Sequence, residues 1–517
     1  MTHTDPSAVK NPHEELEHRL RVARLGGSEK SRQKQLDAGK MLVRDRLALL
    51  FDDGWSFEDG VLARYDENIP GDAVVTCLGR VDGREVAVVA NDYTVKAGTW
   101  GKRTYEKITR TQELADSIGA PLIYLFDSAG ARIDEQFESF VGRRAWGNIF
   151  YNQVQFSGRI PQITALFGPS PAGSAYIPAL SDLTIMVRGN ATAYLGSPRL
   201  AQMVTGEDVT LEEMGGAEMH STVSGLNDVL VEDDEEAIAA IRVWLSYLPS
   251  NWKQEPPTTD ALEPAEGRSI RDIVPVVESE IFDIHELIDA LFDDSSFFPY
   301  KHLFAPELVT GFARLDGHPV GIVANQPMVK GGVIFPDSSD KAARFIWICN
   351  AYNIPILFLV DIAGYMIGSE VERQGIIRHG AKMIYAVSEA RVPRITVLLR
   401  KAYGGGYLAM SGAPMQPDAL IALATAKPAL MGSDAAVNAV HYNRIQEIED
   451  DEQRAAFIAE KQAEYADGID VFKIANENAV EAVVPAHELR AELISRLRVY
   501  RRRDRTALPR RNGVMPV

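Results

Sequence analysis

Two eleven-residue stretches of this chain are near copies: VVANDYTVKAG at Val88–Gly98 and IVANQPMVKGG at Ile322–Gly332. Their asparagines, Asn91 and Asn325, lie 234 positions apart (325 − 91). The same interval separates Arg80 from Arg314, Asp82 from Asp316, Gly83 from Gly317, Lys96 from Lys330 and Gly98 from Gly332. It continues through Pro121 and Pro355, Asp127 and Asp361, and Gly130 and Gly364, then drifts by two. RIPQIT at Arg159 answers RVPRIT at Arg391, and YLGS at Tyr194 answers LMGS at Leu430. A register kept through so many landmarks is that of a duplicated domain, far longer than the roughly 20–50-residue period of a solenoid. The chain has to fold as two versions of one topology.

Each half reads as alternating strands and helices. EVAVVAND is a buried strand, the segment Lys102 to Ile118 a helix stopped by Gly119 and Pro121, and PLIYLFDSAG the next strand. PVGIVAN, SSDKAARFIWICNAYN and IPILFLVDIAG repeat that order, with serines placed to cap the helix. Near-continuous apolar runs separated by helices indicate buried strands of an α/β fold. Helices broken at a Gly-Gly pair are expected over about Asn11 to Leu50. The Pro-rich polar stretch Ser250–Ser269 reads as a linker, which divides the chain into 1–255, a linker at 256–269, and 270–517. The acidic runs VEDDEEA and EIEDDEQRAAF read as solvated helix starts.

Composition narrows the function. A net charge of −18 argues against nucleic acid as the main partner. No run of about 18 apolar residues suggests a membrane span, and the polar N-terminus lacks the apolar core of a secretory signal. The two cysteines, Cys77 and Cys349, stand far apart in apolar settings, which fits reduced thiols and a cytoplasmic protein. GKRTYEK at Gly101 and GRR at Gly142 are candidate basic clusters for an anionic small molecule, or else solvated helix faces. The tail RRRDRTALPRR at Arg501 reads as a mobile terminus that could dock an acidic partner.

The chemically suggestive segments come late in each half: PQITALFGPSPAGSAYIPALSD from Pro161 and PRITVLLRKAYGGGYLAMSG from Pro393. Both read as strand, small-residue turn, helix start. Backbone N–H groups at such a junction have no intrahelical acceptor, and small residues let a carbonyl oxygen approach them. That is an oxyanion hole in outline, where each donor contributes about 3–4 kcal/mol in the transition state. A tight packing turn is the plain alternative for either alone, but a matched pair points to two carbonyl groups meeting in one reaction. Side-chain machinery is not evident. The histidines form no HExxH-type metal spacing, His379 reads as a residue on a helix beside the site or in packing, and Ser128 and Ser170 lack a nucleophile-elbow context. Lys96 and Lys330 read as surface-facing lysines with packed stems.

At this point the residues resemble a known family, the carboxyltransferase (β) subunits of biotin-dependent acyl-CoA carboxylases of the propionyl-, acetyl- and methylcrotonyl-CoA group. The likeness runs from about Arg19 to Val517, through GKMLVRDRLALLFDDGWSFED, DSAGARIDE, IFYNQ, AGSAYIPALSD, VTGEDVTLEEMGGAEMH, GHPVGIVANQP, KAARFIWICNAYNIPI, GIIRHGAKMIYA, RKAYGGGY and MGSDAAVNAV. The resemblance implies two tandem crotonase-like ββα-superhelix domains and a hexamer built as a trimer of dimers. The active site is then shared between the first domain of one subunit, holding acyl-CoA, and the second domain of its partner, holding carboxybiotin. Biotin's ureido group would take the substrate proton, so no strong side-chain base is required.

By position against the family motifs, Ala172 and Gly173 would stabilise the thioester enolate, and Gly405 and Gly406 the urea oxygen. The resemblance also places Gly404, Tyr407 and Leu408 on the biotin side, and Gly130, Ala131, Arg132, Ser174 and Tyr176 on the acyl-CoA side. It implies no metal in this chain. The chain departs from many relatives in reading Ala-Gly-Ser in the first turn and DIAGYMIG at Asp361, and it lacks a cysteine-rich zinc ribbon. Leu408 hints at a larger or less polar acyl group. No biotin-attachment MKM and no ATP-binding biotin carboxylase domain is discernible, so a biotin carboxylase and a biotin carrier protein, separate or fused as an α subunit, are the implied partners. The competing readings are a biotin-dependent decarboxylase subunit, a crotonase-type hydratase or isomerase, and a catalytically silent assembly subunit.

Overall fold

The computed structural model describes residues 11–141, 145–503 and 514–516; the chain divides into two compact units between Gln254 and Glu255. In the first, helices Pro12–Leu25, Glu29–Asp37 and Val43–Leu50 precede the sheet. The first of these breaks at Gly26-Gly27 for a steric reason: a Cβ on Gly27 would fall 1.9 Å from the Thr94 carbonyl oxygen. The sheet holds β1 (Trp55–Asp59), β2 (Val74–Val81), β3 (Arg84–Asn91), β4 (Leu122–Phe126), β5 (Gln162–Leu166), β6 (Leu183–Val187) and β7 (Val229–Val231), adjacent in that order. β1 to β3 are antiparallel and the rest parallel.

The second unit repeats this with β8 (Phe298–Tyr300), β9 (Leu308–Leu315), β10 (His318–Asn325), β11 (Ile356–Ile362), β12 (Arg394–Tyr403), β13 (Ala419–Ala422) and β14 (Ala482–Val483). Strand directions match, and Lys427–Ala429 adds a short parallel partner beside the end of β12. Bounds of β2 and β3 shifted by 234 are those of β9 and β10, and the pairing Ala87↔Leu122 recurs as Gly321↔Ile356. Apolar residues of β9–β14 and of the last helix, Leu489–Tyr500, close one core.

The repeated landmarks now have causes. Asp82-Gly83 and Asp316-Gly317 form tight hairpins with positive φ at both residues (50° and 74°; 57° and 74°), the geometry that matches strand twist. Each turn is held by an aspartate accepting both its N–H groups: Asp52 at 3.1 and 2.9 Å, Asp293 at 3.0 and 2.8 Å. The side-chain amide of Asn91 donates to the Gly98 carbonyl (3.2 Å) and that of Asn325 to Gly332 (2.9 Å), closing a turn in which Lys96 and Lys330 both sit at φ 48°. Lys330 is exposed, with its amine over the Phe335 ring and 3.4 Å from Glu307.

Several expectations need correction. Helix Pro336–Ala351 starts one residue before the Asp-Ser-Ser run; its serines cap from inside, Ser339 donating to the Phe335 carbonyl and Ser338 accepting from the Phe335 N–H. Asp234, in the acidic run read as solvated, is 2% exposed and accepts from Arg46 Nε at 2.7 Å. Lys107, in the basic run read as anion-binding or solvated, is buried against backbone carbonyls. GRR at Gly142 and most of the basic tail lie outside the described residues. No helix among the described residues is long and apolar enough to cross a membrane.

Candidate active site

The first turn is more elaborate than a strand running into a helix. β5 leads through Phe167-Gly168 to a three-residue strand, Pro169–Pro171, paired with Thr192–Tyr194. One 3₁₀ turn, Ala172–Ala175, and a short helix, Tyr176–Leu180, follow. The prolines account for the added strand, since each fixes its own φ and biases the preceding residue to an extended conformation. Ala172 and Gly173 open the 3₁₀ turn, where the first N–H groups have no intrahelical acceptor, and the Ala172 N–H directly follows the parallel pairing of Pro171 with Tyr194. Ala172 is exposed; Gly173 lies under the Trp146 ring, where a Cβ would stand 3.1 Å from Cζ3.

Ser174 turns its hydroxyl back to donate to the Pro171 carbonyl (2.6 Å) and is buried. Gly130, at φ 99°, comes to the same place: a Cβ there would meet the Pro171 ring at 3.1 Å. Ala131 is exposed and bridges to the Trp100 backbone, and half-exposed Tyr176 stacks edge-on with Phe150. The structure therefore brings Gly130, Ala131, Ala172, Gly173, Ser174 and Tyr176 into one neighbourhood.

Ala172 adopts φ 55°, left-handed backbone that costs an L-residue roughly 1–2 kcal/mol. Glycine at 172 relieves that strain against an entropy cost of roughly 0.5–1 kcal/mol. Ala172→Gly is expected to raise the unfolding temperature by about 1–3 °C. Calorimetry showing a lowered value would mean the turn is not strained.

Arg132 takes a different role from its neighbours. Its Nη1 donates to Asp72 (2.5 Å), Nη2 to the Thr99 carbonyl (2.7 Å) and Nε to the Thr99 hydroxyl (3.1 Å). Asp72 is fully buried and also accepts from the Arg103 N–H at 2.8 Å. The guanidinium is spent inward, fastening the loop that carries Gly130 and Ala131.

The second turn is direct. β12 runs to Tyr403 and helix Gly404–Ala409 begins at once. Gly404 has φ 53°, and a Cβ there would lie 2.9 Å from the Leu430 carbonyl oxygen. Gly405 is exposed; Gly406 is buried, with no room for a Cβ between Ile362 (2.8 Å) and Gly364 Cα (2.9 Å). The N–H groups of Gly405 and Gly406 lie in the first turn of this helix, where they have no intrahelical acceptor, while that of Gly404 continues the parallel pairing of Tyr403 with Ala429. Tyr365 lies beside Gly405, its phenol donating to the Gly380 carbonyl (3.3 Å) and pushed up in pKa by burial. Tyr407 accepts from the Ala413 N–H (2.8 Å), its phenol also pushed up by burial, and Leu408 is half-buried.

Side chains that could do acid–base or nucleophilic work are occupied. Asp127 accepts from Lys40 (2.8 Å) and Gln35 (3.0 Å); Asp361 accepts from Arg400 Nη2 (2.6 Å) and the Lys401 N–H (3.1 Å). Ser128 and Ser170 are fully buried, and His379 pairs with Asp340 at 2.9 Å. Among the described residues no group of three or more His, Cys, Asp or Glu is placed to hold a metal. Sequence reasoning missed Trp146, Gly364 and Tyr365. One signal was present, since Gly130 and Gly364 share the 234-residue register and each stands beside its own unit's turn.

A family model described as the carboxyl transferase domain matches residues 34–515. The chain is 53% identical over 505 residues to the uncharacterized carboxylase YngE of Bacillus subtilis (strain 168), spanning 97% of this chain and 99% of that one. It is 39% identical over 516 residues to the propionyl-CoA carboxylase carboxyltransferase subunit of Haloferax mediterranei, spanning 98% and 99%. The crystal structure of the transcarboxylase 12S hexamer with methylmalonyl-coenzyme A and methylmalonic acid bound superimposes with a TM-score of 0.93 at 37% identity, covering 100% of both chains. The chain belongs to the carboxyl transferase domain family, as the carboxyltransferase component of the biotin-dependent acyl-CoA carboxylase and transcarboxylase group. The resemblance carried by the motifs and the α/β fold class are borne out.

Proposed function

We propose that this chain moves a carboxyl group from carboxybiotin, borne on a separate carrier protein, to the acyl group of an acyl-CoA thioester. The observation that carries this is the pair of turns, one in each copy of the duplicated unit, each opening a helical turn whose first backbone N–H groups have no intrahelical acceptor. Carboxybiotin supplies the activated carboxyl group. The N–H groups of Ala172 and Gly173 hold the thioester oxygen as it gains negative charge, and those of Gly405 and Gly406 hold the urea oxygen. The buried glycine at 406 and the exposed one at 405 fit a flat ring system that needs close approach to backbone. Gly404, Tyr407 and Leu408 shape that side; Gly130, Ala131, Ser174 and Tyr176 shape the acyl-CoA side, with Arg132 positioning the Gly130 loop.

Alignment of two reactants is worth roughly 7–11 kcal/mol, which suits a site without a strong side-chain base. The two units are functional domains divided at the 256–269 segment, which contains no helix or strand. The protein works in the cytoplasm as a hexamer with a biotin carboxylase and a biotin carrier, and family membership sets aside a biotin-free hydratase.

The test is CO₂ fixation by the chain with its cell's biotinylated carrier and carboxylase, ATP, labelled bicarbonate and a panel of acyl-CoA thioesters. Label in one thioester establishes the reaction and names the acyl group, including whether Leu408 selects a larger one. No label despite a carboxylated carrier would leave a decarboxylase or a silent assembly subunit as the better account.

A further inference from the structure

We infer that the second unit carries a binding site for a phosphorylated small molecule, in a cavity at the amino-terminal edge of its parallel strands. The cavity has a volume of about 570 Å³, and its polar wall includes His318, Arg391, Arg501, Arg503, Asn353 and Glu255. That volume lies within the roughly 300–1,000 Å³ of small-molecule sites. His318 opens β10, Arg391 stands three residues before β12, and Arg501 follows the last helix. The Gly404–Gly406 turn leaves the opposite end of β12, a ten-residue strand and so roughly 30 Å away. The cavity is therefore separate from the proposed transfer site and does not rest on that reading.

The charge in this cavity is unbalanced. Arg503 is neutralised by Asp418 at 2.6 Å. The guanidinium groups of Arg391 and Arg501 make no hydrogen bond or ion pair among the described residues. Arg501 is partly buried, and burial pulls its pKa down to about 10, only partly offset by Glu255 and Asp316. His318 is lowered as well, by burial and then by the nearby Arg501 charge. A chain with net charge −18 thus gathers three arginines and a histidine around one hollow, faced among the described residues by one lining carboxylate, Glu255. Unpaired guanidinium forks in a partly desolvated cavity suit tetrahedral phosphate oxygens, which accept paired N–H donors.

The inference is tested by isothermal titration of the full-length chain with inorganic pyrophosphate and, separately, ADP at low ionic strength. We expect binding that weakens about tenfold in each of Arg391→Gln and Arg501→Gln. It should be unchanged in Arg271→Gln, which lines a different cavity of the same unit. Arg391 makes no side-chain contact the fold depends on, so its variant decides the matter even if Arg501→Gln unfolds. Tighter binding of ADP than of pyrophosphate assigns a nucleotide, and the reverse assigns the phosphates alone. Absence of millimolar binding by both anions, or affinities unmoved by Arg391→Gln, would overturn the inference.

Discussion

Gly405→Val is expected to abolish carboxyl transfer while leaving the protein folded and assembled. Gly405 is exposed, and a Cβ there would lie 3.4 Å from Tyr365 Cδ2, an ordinary van der Waals contact. Valine in the first helical turn costs only a few tenths of a kcal/mol in helix propensity. Its two methyl groups nevertheless stand over the N–H groups proposed to receive the urea oxygen. Loss of one such donor costs about 10²–10³ in kcat, and steric exclusion of the ring costs more. Gly406→Ala is the instructive contrast. Its Cβ would be driven into Ile362 and the Gly364 backbone, so lost activity there would come with a strain of about 1–3 kcal/mol and would not isolate the cradle. The measurement is transfer by the purified variant together with its assembly state by light scattering. A Gly405→Val protein that transfers at the normal rate would remove the backbone cradle from the mechanism.

The duplication made much of the scaffold legible. The paired landmarks fall at both hairpins, at both asparagine-closed turns and in the parallel strands that follow, because each is a local solution repeated in register; the strands were read from their apolar runs, the hairpins and turns only as matched positions. What stayed hidden depends on partners that the repeat does not copy. Asp127 and Asp361 are matched, yet Asp127 is neutralised by Lys40, in the loop between two leading helices, and by Arg46 on the second of them, and Asp361 by Arg400 and Lys401 from the neighbouring strand. The carboxylate was duplicated and its counter-charge was found twice. Arg132 sat in a motif that suggested ligand contact, and only the fold shows its three donors turned toward Asp72 and Thr99. Asp234 looked like one more acid in an acidic helix start, because nothing in its own segment announces Arg46, 188 positions earlier. The first turn was read as a simple strand–helix junction, although the prolines of GPSPAG were the visible sign of an extended insertion.

Lys107 and Lys341, 234 residues apart (341 − 107), show how far a matched pair can diverge in chemistry, and they yield the second large expected effect. Both are buried. Lys107 donates to three carbonyls, Gly60 (3.3 Å), Gly71 (2.9 Å) and Val74 (2.5 Å), which employs every proton of an ammonium. Lys341 donates to two, Phe304 (2.8 Å) and Ala305 (3.2 Å), which a neutral amine can satisfy. Lys107→Met strands three carbonyls around a loop whose residues 71–73 all have positive φ, and is expected to destabilise the first unit by about 3–5 kcal/mol. A smaller loss, below about 1 kcal/mol by urea unfolding, would mean the loop holds itself.

Lys341 should reveal itself through pH. Burial pulls its pKa down to about 7 from 10.5, with Glu307 opposing the shift. Between those values the unfolded chain holds a proton that the folded chain does not, so stability rises as pH rises. Buried Cys349, whose thiol is pushed up, works in the opposite direction above about pH 9, and buried Lys107, pulled down to about 8, adds a slope of the same sign, so the Lys341 effect is read as the difference between the two proteins over pH 7 to 8.5. Over that window Lys341 contributes on the order of 1 kcal/mol of increasing stability. Lys341→Met should lose that slope relative to the unmodified protein; parallel slopes in the two proteins would show that Lys341 stays charged in the fold.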